Sequence, residues 1–309
     1  MKKISIVVPC YNEQDNVRGM SEALLEQMKK LSEYDYEILF IDNCSEDNTR
    51  NILREICSEN KKIKAIFNLK NFGQFNSPYY ALCQTTGECA ISICCDFQDP
   101  PEMIPKFIKE WEQGYKIVCG IKTSSREGRL MYTLRSIYYK LIKRLSRVVQ
   151  IEHFTGFGLY DRSFIDILRK LDDPTPFIRG IVAELGPNIK KLEYEQAKRK
   201  AGRTSNNFFS LYDAAMLSFT SYTKAGVRSA SFLGIFMCAI SFIFSLIFLV
   251  IRLFSGERIS GVVPIILTLV FLGGIQLFFI GFLGEYIMSM NARTMKRPLV
   301  IEEERINFE

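Results

Sequence analysis

The sequence predicts an α/β fold with a doubly wound sheet, followed by two apolar helices that form a transmembrane hairpin. Charged residues are dense before about residue 228 and nearly absent from Ser229 to Phe254. Before residue 196, helical segments alternate with short apolar segments typical of strands, which are Ile4 to Val8, Tyr36 to Asp42, Ile63 to Asn68, Cys89 to Cys95 and Lys116 to Ile121. A chain of 309 residues can hold one large domain or two modest ones.

The helical segments have the expected amphipathic spacing. Asn16 to Leu31 has helical character, and a second helix is predicted after a Pro-Pro pair, with apolar residues at i, i+3, i+4 and i+7: Ile104, Phe107, Ile108 and Trp111. The N-terminal run MKKISIVVP is too short for the apolar region of a secretion signal. We therefore interpret it as the first strand.

The cysteines indicate a reducing compartment. There are nine, an odd number without paired CxxC spacing, which argues against a disulfide framework. The cluster Cys89, Cys94 and Cys95 fits no zinc motif, because His153 is the only histidine of the chain. We predict that these three cysteines pack in a buried strand and that the body of the protein is cytosolic.

Two apolar segments are long enough to cross a membrane. Ser231 to Phe254 carries only Arg252, and Val262 to Met290 carries only Glu285. At about 1.5 Å per residue, each helix would span the roughly 30 Å hydrocarbon core. Two buried helices of a soluble protein are the alternative, which such uninterrupted length disfavours.

The basic residues predict how the hairpin is oriented. Only Arg252 and Arg258 lie near the connecting loop, whereas the outer ends are flanked by Lys224, Arg228, Arg293, Lys296 and Arg297. Because basic residues concentrate on the cytoplasmic side, both termini are expected in the cytosol.

Polar clusters follow four of the predicted strands, at Tyr11 to Glu13, Asp42 to Asn43, Asn71 to Gly73 and Asp96 to Asp99. Ligands of doubly wound sheets bind beyond the carboxyl ends of the strands, so we expect one site there. No Gly-x-Gly-x-x-Gly or P-loop follows the first strand, which argues against a dinucleotide oxidoreductase or a P-loop enzyme. Hard oxygen ligands predict Mg²⁺ or Mn²⁺ at Asp96, while Asp99 before Pro-Pro better fits a helix cap.

A basic segment follows the fifth strand. Lys122 to Arg147 contains eight lysines and arginines against one acid, Glu127, with apolar residues at helical spacing. This pattern favours a helix at the membrane interface over about 128–147, and a second stripe runs from Phe208 to Phe219. Packing of both stripes on the sheet is the alternative. Nucleic-acid binding is disfavoured, because a membrane hairpin already explains the basic aromatic surface and the net charge is only +6.

Several motifs occur together in one order. They are IVVPCYNE at 6–13, IDNCSEDNT at 41–49, NFG at 71–73, DFQDPPE at 96–102 and GEYI at 284–287. With them the chain resembles family-2 glycosyltransferases of the polyprenyl-phosphate type, which include bacterial undecaprenyl-phosphate glucosyl transferases and dolichyl-phosphate mannose synthases. The resemblance covers nearly the whole chain, including the hairpin.

The resemblance implies a GT-A, Rossmann-like catalytic domain and a set of site residues. It implies that Pro9, Asn12, Glu13 and Asp42 surround the nucleotide and that Asp96 and Gln98 hold a divalent ion under the diphosphate. It also implies that Arg199 belongs to a mobile basic loop, Lys198 to Ser205, that closes over the nucleotide diphosphate; a solvated linker is the alternative. For the reacting and anionic groups we expect Asp96, Arg126, Arg129 and Arg203. The expected organisation is a cytosolic GT-A domain at 1–205, a second interfacial helix at 206–228, the hairpin at 229–290 and a cytosolic tail at 291–309.

Two positions depart from the family pattern. The family usually reads Asp-x-Asp where this chain has Cys94, a poor Mg²⁺ ligand. An acid often proposed as the base would fall on Gly156. A phosphate acceptor is already ionised near neutral pH and can attack without a base, so we assign no base role to Glu152, His153 or Asp161.

The expected function is inverting, metal-dependent transfer of one sugar, with glucose as first choice, from a nucleotide-sugar such as UDP-glucose to undecaprenyl phosphate. The expected place is the cytosolic face of the inner membrane, with the lipid bilayer as a partner, no nucleic acid, and homo-oligomer formation left open. Two alternatives remain. One is a processive polysaccharide synthase, which would normally need a Gln-x-x-Arg-Trp segment, and the other is a catalytically degenerate membrane scaffold.

Overall fold

The computed structural model describes residues 1–124, 148, 151–171, 173–197, 199, 201, 208–222, isolated positions between 230 and 250, 262–295 and 297–308. The predicted interfacial helix at about 128–147 and most of the first apolar segment lie outside these residues. The described part contains one eight-stranded sheet with the order β7-β5-β6-β4-β1-β2-β3-β8.

Four strands form the parallel half of this sheet. They are β1 (Lys3–Cys10), β2 (Asp35–Asp42), β3 (Ile63–Asn68) and β4 (Cys89–Ser92). In β1, Ile6 and Val8 pack into the core on one face, and Val7 packs into the core on the other. A strand buried on both faces must be apolar throughout, which is why these segments read as continuous apolar runs.

The other half of the sheet is mixed in direction. It contains β5 (Ile117–Ser124), β6 (Phe154–Asp161) and β7 (Ile189–Glu195). Strand β6 runs antiparallel to both β4 and β5, while β7 is parallel to β5. As a result, the start of β6 lies beside the carboxyl end of β4.

Helices cover both faces of the sheet, which confirms the α/β prediction. One face carries α1 (Val17–Lys30), α2 (Thr49–Glu59) and α4 (Ile104–Glu112), and the other carries α3 (Gly73–Gln84), α5 (Arg162–Leu171) and α6 (Ile178–Leu185). In α4, the four residues predicted from helical spacing are the four buried ones, Ile104, Phe107, Ile108 and Trp111.

The C-terminal segment, to which the sequence assigned no structure, forms a strand in this sheet. Strand β8 (Glu302–Ile306) pairs antiparallel with β3 and covers its free edge. Arg50 Nη2 lies 2.6 Å from Glu303 Oε2, and Arg54 Nη2 lies 2.7 Å from Glu304 Oε2. These contacts attach the chain end to helix α2.

Two further helices pack against each other, and one of them contacts the α/β part of the chain. In α7 (Phe208–Tyr222), the ring centre of Tyr222 lies 6.3 Å from that of Phe177, which directly precedes α6. Phe219 of α7 packs edge-on against Phe282 of α8 (Val262–Thr294) at 5.5 Å. Within the described residues, Phe271–Thr294 is the one helical stretch long and apolar enough to cross a membrane. The other helix of the predicted hairpin, at 231–254, therefore remains a prediction.

At the amino ends of the parallel strands, Glu37 forms a buried ionic network. Its carboxylate is 2.8 Å from Lys64 Nζ and 3.0 Å from Lys3 Nζ, and it accepts a hydrogen bond from Ser5 Oγ at 2.6 Å. Burial alone would raise the pKa of Glu37, but these bonds, with one from the Thr86 amide, lower it to about 2.

We therefore expect Glu37 to make the fold sensitive to acid. A carboxylate whose pKa is lower in the folded state stabilises the fold above its unfolded pKa, 4.5, and that stability is lost as the pH falls towards 2. Glu37→Gln should destabilise the protein by about 3 kcal/mol at pH 7, and its melting temperature should then change less than that of the wild type between pH 5 and pH 2.

Thermal melts of the full chain in detergent measure this difference. Glu26→Gln is the matched control, because Glu26 pairs with Lys30 on the exposed face of α1. Equal pH profiles for Glu37→Gln and the wild type would contradict the assignment.

Candidate active site

A cavity of about 990 Å³ lies at the carboxyl ends of the four parallel strands. Each strand end contributes to its wall, with Pro9 from β1, Asn43 after β2, Asn71 after β3 and Asp96 after β4. In sheets of this kind, ligands bind beyond the carboxyl ends of the strands, where loops and side chains replace the strand pairing. The four polar clusters of the sequence therefore meet around one space.

The rest of the wall comes from the mixed half of the sheet and from the helices. Thr155 and Gly156 enter it because β6 begins beside the end of β4. Arg179 of α6, Arg199 after β7 and Leu217 of α7 complete it. The cavity thus reaches from the strand loops to the helix that packs on α8.

Asp96 is the central acidic group of the cavity. Its side chain is nearly buried, and its Oδ1 accepts a hydrogen bond from the Gln98 amide at 3.1 Å, across Phe97, whose φ is 60°. Its Oδ2 accepts hydrogen bonds from Arg199, at 2.9 Å from Nη2 and 3.1 Å from Nε. The turn therefore directs the carboxylate of Asp96 into the cavity, where it pairs with the guanidinium of Arg199.

Glu13 is the second acid near this cation. Its Oε1 lies 3.8 Å from Arg199 Nη2, and its Oε2 accepts a hydrogen bond from Asn16 at 2.6 Å. Burial raises the pKa of Glu13 above its usual value, although Asn16 and Arg199 oppose this effect. Asn16 also donates to the carbonyl of Ala201 at 3.2 Å, which ties the basic loop to α1.

The residues at Asp96 fit a divalent ion that is completed by substrate. Within the described residues, no group of three or more His, Cys, Asp or Glu side chains could hold a metal by itself. Mg²⁺ sites of this kind use one or two carboxylates together with substrate phosphates. The guanidinium of Arg199 already places positive charge at Asp96, which shows that this carboxylate is accessible to a cation. Asp96 and Gln98 would hold the ion, and a diphosphate would supply further oxygens.

Cys94 does not pack in the core as predicted. Cys89 and Cys95 are buried, but Cys94 is exposed and lines the cavity. The strand ends at Ser92, so the residues that follow turn outward instead of continuing the alternation. The predicted helix cap at Asp99 is also wrong, because the carboxylate of this buried residue accepts from Tyr194 Oη at 2.7 Å and from the Cys94 amide at 3.3 Å. Burial raises the pKa of Asp99.

Of the residues predicted to surround a nucleotide, Pro9, Glu13 and Arg199 line the cavity, whereas Asn12 and Asp42 do not. Asn12 joins two loops, since its amide donates to Ser45 Oγ at 2.8 Å and its Oδ1 accepts from the Glu46 amide at 2.8 Å. Asp42 is fully buried and accepts from the Ser45 amide at 3.1 Å. Their contact with a nucleotide stays a prediction, as do the roles of Arg126, Arg129 and Arg203, which lie outside the described residues.

The structure separates Asp161 from the cavity. It pairs in register with Cys89 at the opposite end of β4. Its carboxylate accepts from Trp111 Nε1 at 2.8 Å and lies 3.1 Å from Lys116 Nζ. Asp161 therefore joins α4 to the sheet.

Sequence reasoning missed an amide network in the cavity wall. Asn43 Nδ2 donates to Asn71 Oδ1 at 2.8 Å, and Asn43 Oδ1 accepts from Asn68 Nδ2 at 3.0 Å and from the Phe72 amide at 2.9 Å. These bonds fix the loop at 71–73. It also missed Arg179, for which a single arginine among apolar residues gives no local signal.

Comparison with known proteins identifies the family. The family described as Glycosyl transferase family 2 matches residues 5–168. A bactoprenol glucosyl transferase of Shigella phage SfX is 30% identical over 304 residues, which cover 98% of this chain and 99% of that protein. An uncharacterized glycosyltransferase, YkcC, of Bacillus subtilis is 31% identical over 308 residues, with coverage of 99% and 94%.

Solved structures align with part of this chain. Glucosyl-3-phosphoglycerate synthase from Mycobacterium tuberculosis, in complex with Mn²⁺, UDP and phosphoglyceric acid, aligns with 71% of this chain and 76% of its own, at 18% identity and a TM-score of 0.47. The family match and the full-length relatives carry the assignment. The chain belongs to glycosyl transferase family 2 and is a glycosyltransferase.

Proposed function

We propose that this glycosyltransferase moves one glucose, with inversion, from UDP-glucose to undecaprenyl phosphate at the cytosolic face of the inner membrane. The observation that carries the proposal is the continuous cavity. It holds Asp96 at the end of β4 and reaches Leu217 of α7, the helix packed on α8. The full-length similarity to a bactoprenol glucosyl transferase supports this choice of acceptor and sugar.

The donor is held at the strand loops. Pro9 and the Asn43–Asn71 network face the nucleotide, and Asp96 and Gln98 would hold a divalent ion, Mg²⁺ or Mn²⁺, beside the diphosphate. When bound, such an ion would supply positive charge that stabilises the departing diphosphate. Arg199, which lies beside Asp96, contacts the same diphosphate.

The acceptor needs no base. A phosphate monoester is ionised near neutral pH, so one of its oxygens attacks the anomeric carbon directly. The new carbon–oxygen bond forms as the bond from that carbon to the diphosphate breaks, and UDP leaves with the electron pair. A single in-line displacement inverts the anomeric configuration. Gly156, which has no side chain, leaves room for the attacking phosphate.

The position of β8 supports an even number of membrane crossings. Strands β1 to β7 precede α8 in the chain and β8 follows it, yet all eight strands belong to one sheet. If α8 spans the bilayer, the chain must cross once more between α7 and α8 to return to the same side. The apolar segment at 231–254 is the candidate for this second crossing.

We expect both termini in the cytosol and the loop at 256–261 outside. A cytosol-dependent fluorescent reporter fused after Glu309 should therefore be active, and the same reporter inserted at Gly256 should be silent. A periplasm-dependent enzyme should give the reverse pattern. Activity of the periplasm-dependent enzyme at Glu309 would contradict the hairpin.

The function is tested with purified full-length protein in detergent, a panel of labelled nucleotide-sugars and undecaprenyl phosphate. We expect one lipid product carrying one hexose, formed from UDP-glucose only with a divalent ion present. A product with several sugars would indicate a processive synthase. No product and no donor hydrolysis with any nucleotide-sugar would indicate a scaffold.

A further inference from the structure

The cavity is large for one small-molecule site. Its volume of about 990 Å³ lies at the upper end of the roughly 300–1,000 Å³ found for such sites. Its wall includes the strand loops and Asp96, and also Gly156, Arg179 and Leu217. The last three residues have no role in donor binding as described above.

Arg179 lines the cavity without forming an ion pair among the described residues. Its Nε donates to the carbonyl of Thr155 at 3.2 Å, and its guanidinium carbon lies 5.9 Å from the ring centre of Phe177. Among the described residues, no carboxylate lies within 4.0 Å of its nitrogens; Asp213 also lines the cavity but makes no ion pair with it. Arg199, by contrast, is neutralised by Asp96.

The space beside Arg179 is open. Gly156 follows its hydrogen-bond acceptor, Thr155, and has a φ of 104°. A Cβ built at Gly156 would meet only Ile178 Cγ2, at 3.6 Å. A guanidinium without a carboxylate partner, next to a glycine that adds no side chain, suits a tetrahedral anion such as a phosphate.

Helix α7 connects the cavity with α8. Leu217 of α7 lines the cavity, while Phe219 of α7 packs against Phe282 of α8 and Tyr212 of α7 donates a hydrogen bond to Glu285 of α8 at 3.3 Å. An apolar chain that lies beside α7 and α8 would therefore end near the cavity that Arg179 lines.

We propose that Arg179 binds the acceptor phosphate, a terminal phosphate monoester on an apolar chain. This inference rests on the proposed function and names a residue for its second substrate. The Nε bond to Thr155 fixes the direction of the guanidinium and leaves its two terminal nitrogens for phosphate oxygens. The phosphate is then held beside Gly156, in the same cavity as the donor.

Farnesyl phosphate is the probe, with farnesol and inorganic phosphate as comparisons. Binding is measured calorimetrically on the full-length protein in detergent, for wild type, Arg179→Gln and Arg179→Lys, and UDP binding is measured in parallel. Arg169→Gln is the matched control, since Arg169 Nε also donates to a backbone carbonyl, that of Cys83 at 2.8 Å, but on α5 outside the cavity wall.

We expect Arg179→Gln to weaken farnesyl phosphate binding by about tenfold or more, as for a lost charge-assisted contact, and to leave UDP binding within about twofold. Arg179→Lys should weaken it less, because the charge remains while the paired donors are lost. Arg169→Gln should bind as the wild type does. Farnesol and inorganic phosphate should each bind more weakly than farnesyl phosphate, which separates a lipid phosphate site from a simple anion site.

Three results would overturn the inference. They are wild-type affinity for farnesyl phosphate in both Arg179 variants, an equal loss of UDP affinity, or equal binding of farnesol. If Arg179→Gln does not fold, as judged by its melting curve, Arg179→Lys decides alone. The proposed function fails separately: a wild type that binds farnesyl phosphate through Arg179 but transfers no sugar would refute the transferase activity and leave this site standing.

Discussion

Asp96→Asn is expected to lower sugar transfer by more than ~100-fold, because even a lost outer partner of a metal site costs about 10–100-fold. Asn keeps the shape of the side chain but removes the charge that holds a hard cation. It also removes the negative partner of Arg199, which lies 2.9 Å from Asp96 Oδ2. The expected loss is in turnover at saturating metal, and it is measured as lipid-linked product against Mg²⁺ and Mn²⁺ concentration.

The same substitution should hardly change stability. The side chain of Arg199 is 27% exposed and so keeps access to water, and the amide oxygen of Asn can still accept a hydrogen bond from its guanidinium. The melting temperature without donor or metal should therefore shift by a few degrees at most. Asp35→Asn is the matched control, since it removes a 2.7 Å ion pair with Lys62 at the amino end of β2, far from the cavity. Full metal-dependent activity in Asp96→Asn would make Asp99 the next candidate ligand.

The sequence predicted the parallel half of the sheet well, for a physical reason. Strands such as β1 are buried on both faces, so burial appears directly as an apolar run. Strand β8 has no such signature. Its burial alternates between half-buried and exposed, it contains three glutamates, and its partner β3 lies more than 200 residues earlier. Only the pairing itself identifies it as a strand.

The site shows the same limit. Asp96 was predicted as a metal ligand and Arg199 as a nucleotide-binding residue, each from its own motif. The two are 103 positions apart, and no local pattern reports that they form an ion pair. Arg179 gave no signal in the sequence. An arginine stands out as a binding residue only when the structure shows whether a carboxylate pairs with it.

That ion pair leads to a second large effect, which concerns the protein before it binds donor. Arg199 occupies the carboxylate that we propose as the ligand of the divalent ion, so this ion would have to displace Arg199 from Asp96. Arg199→Met removes this competitor and keeps most of the side-chain volume. We expect the donor-free variant to bind Mn²⁺ about tenfold more tightly, equivalent to ~1.4 kcal/mol. Sugar transfer should nevertheless fall by about tenfold or more, because a charge-assisted contact to the diphosphate is lost.

Opposite signs for metal binding and transfer distinguish this role from a structural one. Titration of Mn²⁺ without donor, followed by electron paramagnetic resonance, measures the first quantity, and the initial rate of lipid-linked product measures the second. Arg18→Met is the matched control, because Arg18 forms a 2.8 Å ion pair with Glu55 on an exposed surface, and it should change neither. A general loss of structure would weaken Mn²⁺ binding and transfer together. Unchanged or weaker Mn²⁺ binding in Arg199→Met would show that the guanidinium and the ion do not compete for Asp96.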